Sequence, residues 1–323
     1  LVQTIAKRPL RRRTNHQMTY AQVPGITRPV SKFLMGTMVY QPDQMNFASA
    51  MFDHFVEIGG NAFDTAYVYG GGKCEQALGK WLKMRGNRQE LVLLGKGGHT
   101  PMCYPEAIDK QLMETLGRLQ TDYLDIYLLH RDNLDLPVGE LVDCLNRHVK
   151  AGRIKVIGGS NWTLARLAEA NAYAAKHGLT PMGASSNHFS LAQWNEAVWG
   201  GCLAIVDAES RAWHTKTQMP NFSWSSQAQG FFTGRYSPTD TSNASMVRVW
   251  YNEGNWERLA RARQLAARKG TTATAIATAY VLQQAWPQFA LIGPQSLQET
   301  TSSAEGLSVT LTDDEKRWLN LES

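Results

Sequence analysis

Short apolar segments alternate with longer helical patterns along most of the chain. Eight segments are continuously apolar, which is the pattern of short strands buried on both faces of a parallel sheet. These strands are predicted at residues 32–37, 62–64, 91–94, 123–129, 154–157, 181–184, 221–224 and 289–292. Apolar residues at helical spacing follow nearly every one of them, as at 47–58 and 105–119. Strands that alternate with helices predict an α/β protein whose parallel sheet is covered by helices.

The number of strand–helix units indicates the architecture. Eight units within about 300 residues favour a (β/α)8 TIM barrel. The alternative is a doubly wound open sheet, but the pattern GxGxxG that usually follows the first strand of such a sheet is absent here. Ahead of the barrel, residues 18–26 and 28–30 predict a short N-terminal β-hairpin that turns at Pro24 and Gly25. We therefore expect 18–323 to form a single barrel domain.

Polar side chains stand where the predicted strands end. In a TIM barrel, the C-terminal ends of the strands carry the catalytic groups. Taken along the chain, these ends hold Thr37, Asp64, Lys96, His130, Ser160, Asn161, Ser186, Trp224, Ser225 and Gly293. The second, third and fourth strands thus end in a carboxylate, an amine and an imidazole. A buried carboxylate requires a partner, and Lys96 is the one lysine at a strand end.

The composition suits a globular protein and excludes several classes. Hydrophobic residues make up 43% of the 323 and charged residues 19%, which allows a sizeable core. No apolar run reaches the ~18 residues of a membrane span. The four cysteines show no CxxC pairing, so we predict reduced thiols in a cytoplasmic protein rather than disulfides or a zinc site. No cluster of His, Asp and Glu has metal-ligand spacing, and no metal is predicted.

Positive charge is concentrated in an N-terminal arm, 1–17. The formal net charge is +5, and the arm contributes Lys7, Arg8, Arg11, Arg12 and Arg13. A basic arm can bind nucleic acid, but no nucleic-acid-binding motif follows it, so we interpret it as a solvated linker. The chain begins with Leu1, and we expect a cleaved leader or an upstream domain to precede it in a longer chain.

Five segments carry a resemblance to a known family. FDTAYVYG, LLGKGG, LLHRDN, GGSNW and WSSQAQGFFTGRY occur in this order and resemble the aldo-keto reductase superfamily. The similarity extends from about residue 18 to residue 321, and it is greater to bacterial reductases and to potassium-channel β-subunits than to aldose reductase. It implies an NAD(P)H-dependent oxidoreductase that reduces aldehydes or ketones. It also leaves open a cofactor-binding regulatory module of the channel β-subunit type, with little catalysis.

The resemblance implies a catalytic tetrad of Asp64, Tyr69, Lys96 and His130. Reduction of a carbonyl needs a hydride, which comes from the nicotinamide, and a proton on oxygen, which a phenol can supply. Lys96 would lower the pKa of Tyr69, Asp64 would keep Lys96 charged, and His130 would donate to the substrate oxygen. Tyr67 is the competing phenol. Tyr69 is preferred because the family's tyrosine lies five residues after its aspartate and precedes a glycine.

The resemblance also implies a cofactor site. Ser160 and Asn161 would hold the nicotinamide carboxamide, together with Ser186 at a position where the family usually has glutamine. Trp224 would stack on the nicotinamide ring. The loop around the pyrophosphate would comprise Ser225, Ser226, Gln227 and Gln229, with Arg235 as a charge partner. The remaining predicted cofactor contacts are Gly36, Thr37, Asp64, Gly293, Gln295 and Glu299.

The choice between NADPH and NADH is less strongly predicted. Relatives that use NADPH often carry a cation after the last strand, whereas LIGPQSLQETTSS contains none. The usual Glu-Asn pair that contacts adenine is replaced by Ser302 and Ser303, and Glu299 near a ribose favours a hydroxyl over a phosphate. NADPH is expected from the habit of the family, and NADH stays open.

The substrate pocket is expected in the loops that follow the strands. Its predicted residues are Tyr40, Tyr67, His99 and Trp162. An aromatic mouth suits small aldehydes or sugar-like carbonyls. A non-redox hydrolase or aldolase barrel would need a metal cluster or a Schiff-base lysine, and the partner Asp64 argues instead for an ion pair at Lys96. The resemblance leaves the oligomeric state open.

Overall fold

The computed structural model describes residues 18–322. Its strands are β1 (Tyr20–Ala21), β2 (Val30–Ser31), β3 (Phe33–Gly36), β4 (Ala62–Asp64), β5 (Val92–Gly97), β6 (Leu124–Leu129), β7 (Ile154–Ser160), β8 (Met182–Ser186), β9 (Asn221–Ser223) and β10 (Gln288–Ile292). The first two pair antiparallel, and the other eight form a closed parallel barrel in chain order, with β10 beside β3. The predicted TIM barrel and hairpin are confirmed, and the open-sheet alternative is wrong.

Helices surround this barrel. They are α1 (Met45–Glu57), α2 (Lys73–Arg85), α3 (Pro105–Leu119), α4 (Val138–Lys150), α5 (Leu164–His177), α6 (Ala208–Thr217), α7 (Ala244–Trp250), α8 (Glu253–Lys269), α9 (Ala273–Leu282), α10 (Leu297–Glu305) and α11 (Asp313–Leu319). Only α7 was not predicted, since it has seven residues and follows a polar segment. Asn243 caps α7 by accepting a hydrogen bond from the Met246 amide at 3.1 Å.

Barrel side chains alternate between the interior and the layer that packs on the helices. The inner cluster includes Leu34, Ala62, Val92, Leu94, Ile126 and Leu128. The outer cluster includes Phe33, Met35, Phe63, Leu93, Tyr127 and Leu129. This period of two places Asp64, Lys96 and His130 on the inner face, at the C-terminal ends of β4, β5 and β6. It places Thr37 on the outer face, in line with Phe33 and Met35.

Three further observations bear on the expectations from the sequence. The predicted basic arm, 1–17, lies outside the described residues. Within 18–322, no helix is both long and apolar enough to cross a bilayer. All four cysteines, Cys74, Cys103, Cys144 and Cys202, are buried and free.

Candidate active site

A cavity of about 800 Å³ opens at the C-terminal ends of the barrel strands, which is within the range of small-molecule sites. We distinguish two groups of residues in its wall. The strand-end group consists of Asp64, Tyr69, Lys96 and His130. The loop group lies in 225–235 and 293–303, and it supplies Ser225, Ser226, Gln227, Gln229, Arg235, Gly293, Gln295 and Glu299. Gly36, His99, Ser160, Asn161 and Trp224 also line the cavity.

Asp64 and Lys96 form a buried ion pair at the base of the cavity. Each is at most 3% exposed, and Lys96 Nζ donates to Asp64 Oδ1. Burial raises the pKa of Asp64 and lowers the pKa of Lys96, while the opposite charge of each partner counteracts both shifts. Removal of either partner would leave an isolated charge in the barrel, so the pair is electrostatically a single unit.

Tyr69 follows β4 and begins a tight turn of three glycines. Gly70, Gly71 and Gly72 all have positive φ, between 57° and 91°. At Gly72 the φ of 91° would strain any other residue, and a Cβ there would lie 2.5 Å from the Arg118 guanidinium, which would have to move. This turn directs the phenol into the cavity, where the centroid of its ring lies 5.4 Å from Lys96 Nζ.

Burial raises the pKa of the Tyr69 phenol well above its usual value, and the charge of Asp64 adds to the rise. The guanidinium of Arg131 acts in the opposite direction. The sequence led us to expect that Lys96 would lower this pKa; here Lys96 is paired with Asp64, and burial dominates. Tyr69 therefore holds its proton throughout the neutral range, as a proton donor to a carbonyl oxygen must.

His130 lies beside Tyr69, with 5.8 Å between the ring centroids and the planes nearly perpendicular. Its Nδ1 is buried and has no hydrogen-bond partner within the described chain. Burial lowers the pKa of His130 well below its usual value, and the charges of Lys96 and Arg131 lower it further. The imidazole is thus neutral at pH 7 and has one N–H to donate.

Tyr67 lies on the other side of its loop. Its hydroxyl donates to Glu114 Oε2 at 2.7 Å, and its ring stacks on the Arg118 guanidinium. Both partners belong to α3, so this phenol contributes to the packing of α3 on the β4 loop. It does not line the cavity, whereas Tyr69 does.

Four other predicted residues also lie outside the cavity lining. Thr37 is buried on the outer face of its strand. The Ser186 hydroxyl donates to the Phe222 carbonyl at 2.7 Å, between β8 and β9. Tyr40 is fully buried and donates to the Pro294 carbonyl at 2.5 Å. Trp162 is fully buried and donates to the Arg131 carbonyl at 3.2 Å. Of the four predicted substrate contacts, only His99 faces the cavity.

The loop group is shaped by an unusual backbone. Ser225, Ala228 and Gln229 have φ between 48° and 53°, which is uncommon for residues other than glycine. Hydrogen bonds to distant elements hold the segment in place. Ser226 Oγ donates to the Leu291 carbonyl at 2.8 Å, and Trp250 Nε1 donates to Gln229 Oε1 at 2.9 Å. Residues in such conformations cluster where a backbone is shaped around a ligand.

The cavity wall fits a nicotinamide dinucleotide. Trp224 contributes an aromatic ring to the cavity wall, and its buried Nε1 has no partner among residues 18–322. Ser160 and Asn161, at the end of β7, line the same cavity. The loop group offers hydroxyls, amides and one guanidinium, which are the donors that a pyrophosphate requires. Ser186, at the position of the usual glutamine, is absent from the cavity lining, and its hydroxyl donates to the backbone of β9.

Residues that the sequence analysis missed complete the wall. Arg131, Trp199 and Cys202 line the cavity beside His130 and Asn161. Arg131 directly follows a predicted strand-end histidine, so its position was a usable signal. Trp199 and Cys202 lie in the irregular segment between β8 and α6, where hydrophobic periodicity gives no information.

One group of metal-ligating side chains exists elsewhere among the described residues. Asp109, Cys144 and His148 have ligand atoms within 4.8 Å of one another, between α3 and α4. His148 Nε2 lies 2.7 Å from Asp109, while Arg147 donates to Asp109 and Arg153 donates to His148. The two guanidiniums in this network oppose the binding of a cation. We therefore interpret the group as a hydrogen-bonded contact between helices.

Comparison with known proteins agrees with this geometry. A model of the Aldo/keto reductase family matches residues 32–319. Norsolorinic acid reductase of Aspergillus flavus is 29% identical over 283 residues, covering 83% of this chain and 69% of the relative. Probable aryl-alcohol dehydrogenase AAD4 of Saccharomyces cerevisiae is 27% identical, covering 84% and 86%. The uncharacterized oxidoreductase YrpG of Bacillus subtilis is 24% identical, covering 90% and 91%.

A solved structure has the same fold. Glycerol dehydrogenase AKR11B4 from Gluconobacter oxydans superposes with a TM-score of 0.75 at 22% sequence identity, and 93% of each chain is covered. At this identity the likeness concerns the barrel alone.

Proposed function

Because this chain belongs to the aldo/keto reductase family, we propose that it reduces an aldehyde or ketone to the alcohol with a reduced nicotinamide cofactor. The observation that carries the proposal is the convergence of Asp64, Tyr69, Lys96 and His130 in one cavity wall. A phenol that keeps its proton, a neutral imidazole and a buried ion pair are together the groups that carbonyl reduction requires.

Each residue has a distinct role in this proposal. When bound, the reduced nicotinamide supplies the hydride, which no side chain can provide. His130 donates an N–H to the carbonyl oxygen and fixes its direction. Tyr69 gives its proton to this oxygen as negative charge develops there, and the Lys96 ammonium, 5.4 Å from the centroid of the ring, stabilises the phenolate that is left. Asp64 holds Lys96 in place.

We assign the cofactor to the face of Trp224 and to the loop group. Asn161 Nδ2 donates to Ser160 Oγ at 3.2 Å, so these two strand-end residues form one polar pair for the carboxamide. NADPH is the form we expect from the family. Arg235 would pair with the pyrophosphate, which both cofactors carry. The exposed carboxylate of Glu299 would repel a 2′-phosphate, so this side chain acts on the preference between NADPH and NADH.

We further propose a carbonyl attached to a flat or ring-shaped group as substrate. Met38, Val39, Val68 and Trp199 line the cavity together with Trp224, and aromatic faces bind planar rings. The names of two relatives, an aryl-alcohol dehydrogenase and norsolorinic acid reductase, agree with this class. A sugar-like carbonyl is the second class, because aromatic faces also stack on sugar rings.

A substrate panel with both cofactors tests the proposal. We expect purified protein to consume NADPH with 4-nitrobenzaldehyde and to form the corresponding alcohol. Aldoses and keto-sugars in the same panel separate the two substrate classes. No consumption of either NADPH or NADH with any member would contradict the proposal.

The same panel separates catalysis from regulation. A cofactor-binding module of the channel β-subunit type would bind NADPH yet turn over aldehydes no faster than its Tyr69→Phe variant. Binding of NADPH without this difference would favour the regulatory alternative.

A further inference from the structure

Arg131 is a buried cation in the cavity wall, directly after His130. It is 9% exposed. None of the residues 18–322 offers it a carboxylate within salt-bridge distance. Two other buried cations do have one, since Lys96 pairs with Asp64 and Arg166 pairs with Asp132. A buried guanidinium without a counter-ion is costly unless something else neutralises it.

The contacts of the Arg131 side chain are neutral. Nη1 donates to the His130 carbonyl at 2.8 Å, and Nη2 donates to Cys202 Sγ at 3.3 Å. A guanidinium has five N–H donors in a planar fork, so these two bonds leave capacity for a further acceptor. Cys202 is itself part of the cavity wall, and the fork therefore lies at the surface that a ligand contacts.

The backbone holds Arg131 firmly. Its amide donates to the Gly98 carbonyl at 3.3 Å, and its carbonyl accepts from Cys103 Sγ and Trp162 Nε1, both at 3.2 Å. The loop after β8 passes directly over the side chain, since a Cβ on Gly201 would lie 3.7 Å from Arg131 Nε. A cation held on both sides in this way is pre-organised for a ligand.

Nothing in the cavity wall competes for this charge. The wall contains two carboxylates among the described residues. Asp64 is bonded to Lys96, and Glu299 accepts from the Gln295 amide at 2.7 Å in the loop group. The strand-end side of the cavity therefore has an excess of one positive charge that belongs to Arg131.

We propose that Arg131 is a specificity-determining residue that binds a carboxylate on the substrate. This inference rests on the proposed carbonyl reduction and narrows it to carbonyl compounds that also carry an acidic group. A planar carboxylate matches the guanidinium fork and can accept two parallel hydrogen bonds. Arg131 would then orient the substrate, with its carbonyl toward Tyr69 and its acid toward the loop at 200–202.

A rival role exists for the same side chain, because the charge of Arg131 also favours the phenolate of Tyr69. The two roles make different predictions. If Arg131 recognises a carboxylate, its substitution lowers kcat/KM for acidic substrates and leaves kcat/KM for neutral substrates nearly unchanged. If Arg131 instead acts on the pKa of Tyr69, its substitution changes kcat for all substrates alike and shifts the pH profile of kcat.

The test compares 3- and 4-formylbenzoate with their methyl esters in wild type, Arg131→Gln, Arg131→Lys and the surface control Arg317→Gln. We expect the ratio of kcat/KM for acid over ester to fall about 10- to 100-fold in Arg131→Gln, since a hydrogen bond to a charged group is lost. Most of the loss should lie in KM. Arg131→Lys should restore part of the ratio, and Arg317→Gln, which is largely exposed on α11, should leave it unchanged.

A binding titration supplies a second readout that needs no turnover. Benzoate and benzamide are added with and without NADP⁺, and quenching of the cavity tryptophans Trp199 and Trp224 is followed. We expect Arg131→Gln to weaken the binding of benzoate by the same factor and to leave the binding of benzamide unchanged. An unchanged acid-to-ester ratio, or an equal loss for both substrates with a shifted pH profile, would overturn the inference. If no aldehyde is reduced by any variant, the proposed reaction fails, and the benzoate titration still decides whether Arg131 binds a carboxylate.

Discussion

The two groups that line the cavity are built in opposite ways. Asp64, Lys96 and His130 stand at or directly after the ends of barrel strands, and Tyr69 lies on the glycine turn that follows β4. Asp64 and Lys96 are buried as an ion pair. The loop group lies on the irregular segment 225–235 and on the loop and first turns of α10 that follow β10, and its charged members, Arg235 and Glu299, are exposed. The strand-end group is thus part of the core, while the loop group is a layer attached to the core by hydrogen bonds.

This difference separates chemistry from affinity. Changes in the strand-end group should affect the rate and the stability together, because its charges are buried and paired. Changes in the loop group should affect the binding of cofactor and leave the free energy of unfolding nearly constant, because solvent screens exposed charges. The predictions below test this separation, from the largest expected effect to the smallest.

Tyr69→Phe should reduce kcat for aldehyde reduction by about 10²–10⁴-fold, because the proton donor is lost. Tyr67→Phe is the matched control, since Tyr67 bonds to Glu114 away from the cavity, and its kcat should stay within about twofold of wild type. Steady-state kinetics with a saturating cofactor measures both. Equal losses in the two variants would contradict the assignment of the phenol.

Lys96→Met should lower the free energy of unfolding by about 3–5 kcal/mol, because Asp64 is left charged and buried without a partner. Urea denaturation measures this change. The double variant Asp64→Asn/Lys96→Met removes the isolated charge and should recover much of the stability while staying inactive. A Lys96→Met protein as stable as wild type would show that the pair is not the buried unit described here.

Acid should destabilise the protein through its buried histidines. Burial lowers the pKa of His188 and of His214 to about 4, and the pKa of His130 is lowered as well. Below pH 6.5 the histidines of the unfolded chain bind protons that those of the folded chain do not. Their contribution to the free energy of unfolding is therefore greatest above pH 6.5, and it decreases as the pH falls toward 4.

Each such histidine should contribute a slope of about 1.4 kcal/mol per pH unit. Urea titrations at several pH values measure the total slope. His214→Gln should reduce this slope by the contribution of one histidine. A free energy of unfolding that stays constant from pH 7 to pH 4.5 would contradict the neutral, buried state of these rings.

Glu299→Gln should shift cofactor preference toward NADPH by about two- to fivefold in kcat/KM, because a negative charge near the expected 2′-phosphate is removed. The shift should shrink as the salt concentration rises. The free energy of unfolding should stay within about 0.5 kcal/mol of wild type, as for other surface substitutions. If this variant lost several kcal/mol of its free energy of unfolding, the loop group would not differ from the strand-end group in its contribution to stability.

The same contrast explains how far the sequence could predict the molecule. The residues at the strand ends could be predicted, because continuous apolar segments indicate the strands and the topology of a barrel brings the ends of its strands together. The period of two then placed Asp64, Lys96 and His130 on the inner face. The same rule, had it been applied to Thr37, would have placed that side chain outside the cavity.

Loop residues could not be predicted in the same way. The orientation of Tyr67 depends on Glu114 and Arg118 of α3, which lie more than 40 residues away along the chain. Tyr40 is fixed by the Pro294 carbonyl, and Ser186 by the backbone of β9. Such contacts arise only when the elements pack, and no local pattern encodes them. Arg131 is a different case, because its position directly after the strand-end residue His130 is a signal that the sequence does contain.

Direct transfer of hydride to the carbonyl carbon is the central claim, and deuterium labelling tests it most directly. Reduced cofactor carrying deuterium on one or the other face of nicotinamide C4 is incubated with an aldehyde substrate, and the alcohol is analysed by mass spectrometry. Because Trp224 is proposed to stack on one face of the nicotinamide, we predict that one labelled form yields alcohol with a single deuterium at the carbinol carbon and the other yields none. Unlabelled alcohol from both forms would contradict the account.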